Sequence, residues 1–162
     1  MKKLKVAILM GSISDLPVVT ECLKILKEFS IGFEAKVLSA HRTPEAVAQY
    51  VGISESRGIK VIVAAAGMSA ALAGVAAAHT NLPVIGIPLE SKSLKGLDAL
   101  LSTVQMPPGV PVACMAIGKA GAKNAAFFAL KILALEDKKI SKKLESYRKK
   151  QAVKIKKIKV KY

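Results

Sequence analysis

Aromatic residues are scarce in this chain, which has no tryptophan, three tyrosines and four phenylalanines among 162 residues. It also has only two cysteines, Cys22 and Cys114, which lie in apolar surroundings without the spacing of a metal site. They predict reduced core thiols and a cytoplasmic location. Each apolar run is shorter than the roughly 18 residues that a membrane span needs, so we expect no membrane association.

Acidic residues are also few, with 11 Asp and Glu against 26 Lys and Arg and a net charge of +15. Residues 136–162 carry nine of these net charges, because they hold twelve basic and three acidic residues. Such a segment can bind acidic surfaces without specificity, but it contains no recognisable nucleic-acid-binding motif. We interpret it as a solvated terminal helix followed by a poorly ordered basic tail, 152–162, and do not expect nucleic acid to be a partner.

Short apolar runs alternate with segments of helical spacing along the whole chain. Five runs predict strands, at residues 4–10, 33–39, 60–67, 83–89 and 110–118. Six segments predict helices, at residues 15–29, 44–56, 69–78, 94–104, 120–135 and 137–150. Unbroken apolar strands between helices are typical of a parallel sheet covered on both faces. We therefore expect one three-layer, doubly wound α/β domain over residues 1–151, flavodoxin-like, with strand order 2-1-3-4-5.

Ligands bind to such folds beyond the carboxyl ends of the strands. The first predicted strand is followed by GSISDLP, residues 11–17, which brings Ser12, Ser14 and Asp15 to the start of a helix. Backbone N–H groups at a helix N-terminus attract anions, so this loop could hold a phosphate and leave Asp15 for a sugar hydroxyl. A plain Ser/Asp helix cap explains the same residues equally well.

The second predicted strand is followed by SAHRTPE, residues 39–45. Arg42 offers a planar charged fork suited to phosphate, and His41 can donate or accept a proton near neutral pH. A strand-end histidine and a surface arginine would be the plainer interpretation. Two loops with phosphate-suited groups at one sheet edge favour a binding site instead. The other histidine, His79, ends the third predicted helix away from this edge, and we expect it to be structural or solvent-facing.

The third predicted strand runs into AAAGMSAALAG, residues 64–74. Such small residues let a backbone approach a ligand closely, or let helices pack tightly. A phosphoryl-accepting receiver needs acidic residues after the first and third strands, where this chain has Gly11-Ser12 and Ala66-Gly67. A flavin carrier needs aromatic stacking partners, which these loops lack. The motifs GxGxxG and GxxxxGK[ST] do not occur, so dinucleotide and P-loop roles have no support.

Four segments occur together and in order: GSISD, SAHRTPE, VQMPPGVPVA and AIGKAGAKNAA. Together they resemble the N5-carboxyaminoimidazole ribonucleotide mutases of purine biosynthesis, over a region from Val6 to about Gln151. The resemblance implies a flavodoxin-like subunit that assembles into a homo-octamer. It also implies an isomerase that acts on a small-molecule ribonucleotide and needs no metal or organic cofactor.

The same resemblance assigns roles to residues by position. It implies that His41 is the general acid–base in a decarboxylation followed by a recarboxylation. The substrate-binding residues that it implies come from three loops: Ser12, Ser14 and Asp15; Ser39 and Arg42; and Ala66, Gly67, Met68, Ser69 and Leu72.

One loop departs from the pattern of the mutases, which usually read close to AGAGGAAHLPGM where this chain reads AAAGMSAALAGV. Ala71 and Ala73 replace a histidine and a proline. The pattern S-x-A-L-x-G is closer to a sister group that carboxylates aminoimidazole ribonucleotide directly with carbon dioxide. That group usually has a lysine where this chain has Arg42, and VQMPPG also favours the mutases. We favour a mutase over two alternatives, a direct carboxylase and a non-enzymatic ligand-binding module with a nucleic-acid-contacting tail.

Overall fold

Five parallel strands form the centre of the molecule, in the order β2-β1-β3-β4-β5. The computed structural model describes residues 3–160. The strands are β1 (Leu4–Met10), β2 (Gly32–Val37), β3 (Val61–Gly67), β4 (Val84–Leu89) and β5 (Ala113–Cys114). The helices are α1 (Leu16–Glu28), α2 (Pro44–Gly52), α3 (Leu72–Ala78), α4 (Leu97–Val104), α5 (Gly118–Ala134) and α6 (Lys138–Lys156). The predicted class, strand number and strand order are confirmed.

Helices cover both faces of the sheet, which is why its central strands are apolar without alternation. In β1, Val6 and Ile8 face the core under α1 and α5, whereas Ala7 and Leu9 face the core under α2 and α3. The helix α4 lies on the second face, because a Cβ atom on Gly86 of β4 would collide with Thr103 of α4. The remaining helix, α6, packs against α5.

The fifth strand is far shorter than the predicted 110–118. It pairs with β4 at two positions, Ile85 with Ala113 and Gly86 with Cys114, and one further bond joins the Met115 N–H to the carbonyl of Gly86. Within the predicted run, Pro111 has no N–H to donate to a sheet. The apolar pattern of this segment therefore predicted more strand pairing than the chain forms.

Three predicted helices also differ from the observed ones at their ends. The first turns of the predicted 69–78 and 94–104 are not helical, and α4 begins only after Lys95 and Gly96, both in the left-handed region at φ of 49° and 90°. In α2, the helix ends at Gly52 instead of residue 56 and continues as turns to Gly58. The apolar periodicity extends over these turns, so it marks the buried face but not the helix ends.

The predicted tail is partly helical. Asp137 caps α6 by accepting a bond from the Lys139 N–H at 2.8 Å, and the helix continues to Lys156, past the predicted start of the tail at 152. Tyr147 anchors its first half, with its ring 4.7 Å from that of Phe127. Every residue from 151 to 160 is exposed, and residues 161–162 of the predicted tail lie outside the described residues. Between residues 3 and 160, none of the helices is long and apolar enough to cross a membrane.

Candidate active site

A cleft of about 890 Å³ opens at the carboxyl ends of β1 to β4. The loops that follow these four strands form its walls. Every residue predicted for the site lines this cleft: Ser12, Ser14, Asp15, Ser39, His41, Arg42, Ala66, Gly67, Met68, Ser69 and Leu72. The topology of a parallel sheet brings these separate segments to one edge, as the strand order requires.

A second groove, of about 650 Å³, lies at the opposite edge of the sheet, where β4 begins. Its lining includes His79, which is exposed at the end of α3 and does not reach the first cleft. The described residues of its walls, all between 77 and 111, include no Lys, Arg, Asp or Glu. The groups suited to anion binding and proton transfer are therefore concentrated in the first cleft.

The loop after β1 is held by a reciprocal cap. The Ser12 side chain accepts from the Ser14 N–H at 3.3 Å, while the Ser12 N–H donates to Oδ2 of Asp15 at 2.9 Å. Ser14 also donates its hydroxyl proton to the Ser12 hydroxyl, at 2.8 Å between oxygens. A bond from the Gly11 N–H to the carbonyl of Ala65, at 3.1 Å, ties the loop to the end of β3. The two interpretations of this loop are compatible, since the capping residues are also cleft residues.

Asp15 is half-buried and lines the cleft. Burial raises the pKa of its carboxyl group, and the hydrogen bond from the Ser12 N–H and the charge of Arg42 oppose that rise only in part. Ionising this carboxylate in the folded protein therefore costs more than in water. A partner that donates to the carboxylate, such as a hydroxyl group, would offset that cost.

Arg42 lies across the gap between the first two loops. Its Nη2 donates to the carbonyl oxygen of Gly11 at 2.6 Å, and its Nε donates to the Ser39 hydroxyl at 3.3 Å. The Ser39 hydroxyl also accepts from the Arg42 N–H at 3.2 Å. Two more bonds link Thr43 and Ser39, one in each direction and both at 3.0 Å. The guanidinium is thus fixed beside Gly11 although the side chain is exposed.

His41 is held by the same turn. It follows Ala40 and precedes Arg42, in a loop closed by a bond from the Thr43 N–H to the carbonyl of Ser39 at 2.9 Å. The imidazole is exposed and lines the cleft. An imidazole and a fixed guanidinium are therefore adjacent in a cleft that also holds a carboxyl group.

The loop after β3 forms the opposite wall. Gly67 ends the strand beside Leu89, whose carbonyl oxygen would lie 3.4 Å from a Cβ atom added to the glycine. Met68 follows with a φ of 58° and is 69% exposed. Of the two positions where an alanine replaces the usual residue, Ala71 lines the cleft and Ala73 is buried in α3. Three of the residues that differ from the usual mutase sequence, Met68, Ser69 and Ala71, therefore line the cleft.

Comparison with known proteins places this geometry in a family. The family model described as AIR carboxylase matches residues 5–154. The chain belongs to that family. Within the AIR carboxylase family, it is 56% identical over 144 residues to the N5-carboxyaminoimidazole ribonucleotide mutase of Pyrococcus abyssi, covering 89% of this chain and 82% of the relative. It is 54% identical over 143 residues to that of Saccharolobus solfataricus, covering 88% and 89%.

A solved structure agrees with the family assignment. The crystal structure of PurE from Treponema denticola superposes with a TM-score of 0.83 at 34% sequence identity. The match covers 93% of this chain and 92% of that one. The fold and its strand order are thus those of an AIR carboxylase family member, as the sequence segments indicated.

The sequence analysis missed one wall of this cleft. Residues 90–93, ESKS, follow β4 and also line it. Ser91 donates its hydroxyl proton to Oδ2 of Asp98 at 3.1 Å, which fixes the loop on α4, and Lys92 brings a second cation to the cleft. The signal was available, because these are the first polar residues after the fourth strand, where the same topological rule applies.

Proposed function

We propose that the chain converts N5-carboxyaminoimidazole ribonucleotide into 4-carboxy-5-aminoimidazole ribonucleotide, as an isomerase of de novo purine biosynthesis. The observation that carries the proposal is the placement of His41 and Arg42 in one cleft with Asp15. Relatives that are more than half identical over most of the chain bear the name of this mutase. The roles of the individual residues are part of the proposal.

Binding of the nucleotide follows from the charges on the two loops. Arg42 uses Nε and Nη2 to hold Ser39 and Gly11, and its other N–H groups are available to a phosphate. A guanidinium makes charge-assisted bonds to phosphate oxygens, supplemented by hydroxyls such as those of Ser14 and Ser39. The carboxylate of Asp15 accepts from a ribose hydroxyl, which offsets its cost of burial.

The chemical step moves a carboxyl group and a proton. Protonated His41 donates to the carbamate nitrogen, the N–C bond breaks with its electron pair left on nitrogen, and carbon dioxide is released. The ring carbon then forms a C–C bond to that carbon dioxide, and neutral His41 takes the proton from the same carbon. One group that gives and later takes a proton closes the cycle. Oxidation states do not change overall, so the proposal includes no redox cofactor.

Carbon dioxide must stay beside the ring between the two bond changes. The part of the wall formed by Ala66, Gly67, Ala70 and Leu72 is apolar. Holding the two reactants together makes the capture step effectively unimolecular. The loop after β3 and His41 are thus assigned to the reacting ring, and Arg42 and the loop after β1 to the phosphoribosyl group.

The test offers each carboxyl donor separately to the purified chain. Turnover of the carbamate without added bicarbonate is the expected result. Activity confined to aminoimidazole ribonucleotide with dissolved carbon dioxide would support the direct carboxylase, which Met68, Ser69 and Ala71 favour. Inactivity with both donors would refute the enzyme and leave a ligand-binding module.

We extend the proposal to a homo-octamer in the cytoplasm. Leu97, Leu101 and Val104 lie on one face of α4 at helical spacing and are 52%, 49% and 48% exposed. Apolar stripes of this kind are typical of surfaces that pack against another subunit. The cysteine thiols of Cys22 and Cys114 are unpaired, which supports a reducing compartment. Measurement of the particle mass by light scattering tests the octamer, and a monomer would refute it.

A further inference from the structure

Met68 has an unusual backbone for a bulky side chain. Its φ of 58° lies in the left-handed region, where a non-glycine residue is strained. In the described part of the chain, two other non-glycine residues share this conformation, Ser30 and Lys95. Ser30 lies just past the end of α1, where a left-handed residue is usual, and Lys95 lies just before α4. Met68 instead directly follows β3, at the start of the loop that lines the cleft.

The surrounding bonds hold Met68 in this conformation. On one side, Gly67 is paired with Leu89 in the sheet. On the other, the Met68 carbonyl accepts from the Ala70 N–H at 2.8 Å, and the next residue accepts from the Ala71 N–H at 2.6 Å. Strained residues persist where the neighbouring structure determines them, and such residues cluster at functional sites. The strain therefore marks this position for a role beyond the turn itself.

The side chain is also unusually exposed for its type. Met68 is 69% exposed, although it lines a cleft whose neighbouring residues Ala70 and Leu72 are buried. Methionine is unbranched and polarizable, so it adapts its shape to an irregular or flat partner. An apolar, flexible side chain that is this exposed gains contact when an apolar surface lies against it.

We propose that Met68 covers the aminoimidazole ring of the bound nucleotide and closes the space that holds carbon dioxide during carboxyl transfer. This inference rests on the proposed function and deepens it. Carbon dioxide is small, neutral and apolar, so His41 and Arg42 cannot hold it by charge. An apolar side chain over the opening excludes water and keeps the gas beside the ring carbon until the C–C bond forms. Met68 is thus the residue that determines how often the carboxyl group is retained.

The test measures retention of the carboxyl carbon. N5-Carboxyaminoimidazole ribonucleotide labelled with carbon-13 in the carbamate is converted in unlabelled bicarbonate buffer with carbonic anhydrase. The label in the product carboxylate is counted by mass spectrometry at early conversion. The native chain is expected to retain nearly all of it. Met68→Ala and Met68→Gly should release several times more label and accumulate the uncarboxylated ribonucleotide, whereas Met68→Leu should retain the label.

Two variants separate the side chain from the strain. Met68→Ala keeps the demand for a left-handed backbone and Met68→Gly removes it, so only the glycine variant should melt at a higher temperature than the native chain. Equal loss of retention in both assigns the effect to the missing side chain. Ser30→Gly is the matched control, since it relieves the same kind of strain outside the cleft and should leave retention unchanged.

The outcomes distinguish this inference from the function on which it rests. Full retention in both Met68→Ala and Met68→Gly, or extensive loss of label by the native chain, overturns the role of Met68 while the mutase stands. Absence of carbamate turnover in the native chain overturns the mutase itself.

Discussion

The guanidinium of Arg42 donates a hydrogen bond to the carbonyl oxygen of Gly11, 2.6 Å from its Nη2 atom. These residues are 31 positions apart and belong to the loops after β1 and β2. The bond fixes the cation where the first loop presents its serines, before any ligand arrives. Pre-fixed groups of this kind lower the entropy cost of binding, because less of the site must be ordered on association.

Replacing Arg42 by lysine should weaken substrate capture. Lysine keeps the charge but not the planar fork, so it cannot bridge Gly11, Ser39 and a phosphate together. Loss of a charge-assisted hydrogen bond costs about 1.5–3 kcal/mol, which corresponds to roughly ten- to 150-fold in kcat/KM. Steady-state kinetics should show this loss mainly in KM.

The matched control for Arg42 is Arg57→Lys. Arg57 pairs with Glu34 at 2.6 Å outside the cleft, so the same change there should leave KM unaltered. An equal rise in KM for both variants would show that Arg42 has no special part in binding.

Replacing His41 by asparagine should stop proton transfer. General acid–base groups contribute about 10²- to 10⁴-fold to the rate, so kcat should fall by that order. Binding of the nucleotide, measured by calorimetry, should change little. His79→Asn is the control, because His79 lies at the other edge of the sheet and should tolerate the change. Undiminished turnover by the His41 variant would end its proposed role.

Replacing Asp15 by asparagine should maintain or raise the melting temperature but weaken nucleotide binding. Because the folded-state pKa of Asp15 is raised, the folded protein binds more protons than the unfolded chain between the two pKa values. Its stability contribution therefore decreases as the pH rises through that range. The amide of the Asp15→Asn variant keeps an acceptor for Ser12 without this cost, so the variant should melt at the same or a higher temperature at pH 7. The difference should shrink as the pH falls below the ordinary pKa of an aspartate, about 4.

The same variant should bind the nucleotide less tightly, because a neutral amide accepts a weaker bond from a ribose hydroxyl than a carboxylate does. We expect roughly a ten-fold rise in KM, from about 1.5 kcal/mol for the charged bond. A lower melting temperature at pH 7 with an unchanged KM would contradict both parts.

Replacing Gly121 by alanine should destabilise the fold. A Cβ atom there would overlap the carbonyl group of Ala116, so α5 or the end of β5 must shift. Overpacking of this kind costs about 1–3 kcal/mol. Gly52→Ala is the control, since a Cβ atom on that helical residue meets no described atom within 4 Å. It should stabilise by about 0.5–1 kcal/mol, and thermal melting of both variants would reveal opposite shifts.

Removing residues 152–162 should leave catalysis and assembly intact. Residues 151–160 are all exposed, and the contacts that hold α6 involve its first half. We expect kcat/KM within about two-fold of the native value, since surface changes away from packed groups have small effects. Loss of the oligomer on light scattering would assign the tail a structural role. Salt-sensitive binding of nucleic acid that disappears with the tail would support the alternative partner.

Sequence patterns captured the layers of this fold better than its edges. In β1, the continuous run that ends at Met10 requires burial on both faces, and burial on both faces requires helices on both sides. At β5, most of residues 110–118 are only partly buried and Pro111 has no N–H to donate, so the same pattern yielded a strand of two paired residues. The apolar sequence pattern indicates which side chains contact the core, whereas strand pairing also requires backbone N–H groups that can donate to the neighbouring strand.

The candidate site was predictable to the extent that its residues directly follow strands. Ser12, His41 and Met68 do, and topology alone brings them to one cleft. The orientation of Arg42 toward Gly11 depends on a contact between distant segments, and the φ of Met68 depends on bonds from Ala70 and its neighbours. Neither has a local sequence signature, so each had to come from the three-dimensional structure.

The bonds that steady Arg42 join the ends of β1 and β2, and none of them passes through the segment after β3. The bonds that hold the phosphate-binding cation are thus different from those that shape residues 68–71, although His41 lies in the same turn as Arg42. Exchange of residues 68–71 is therefore expected to leave the bond between Arg42 and Gly11 in place, even where it changes the carboxyl donor that the chain uses. A change in the carboxylation reaction therefore does not require a change in the residues that hold the phosphate.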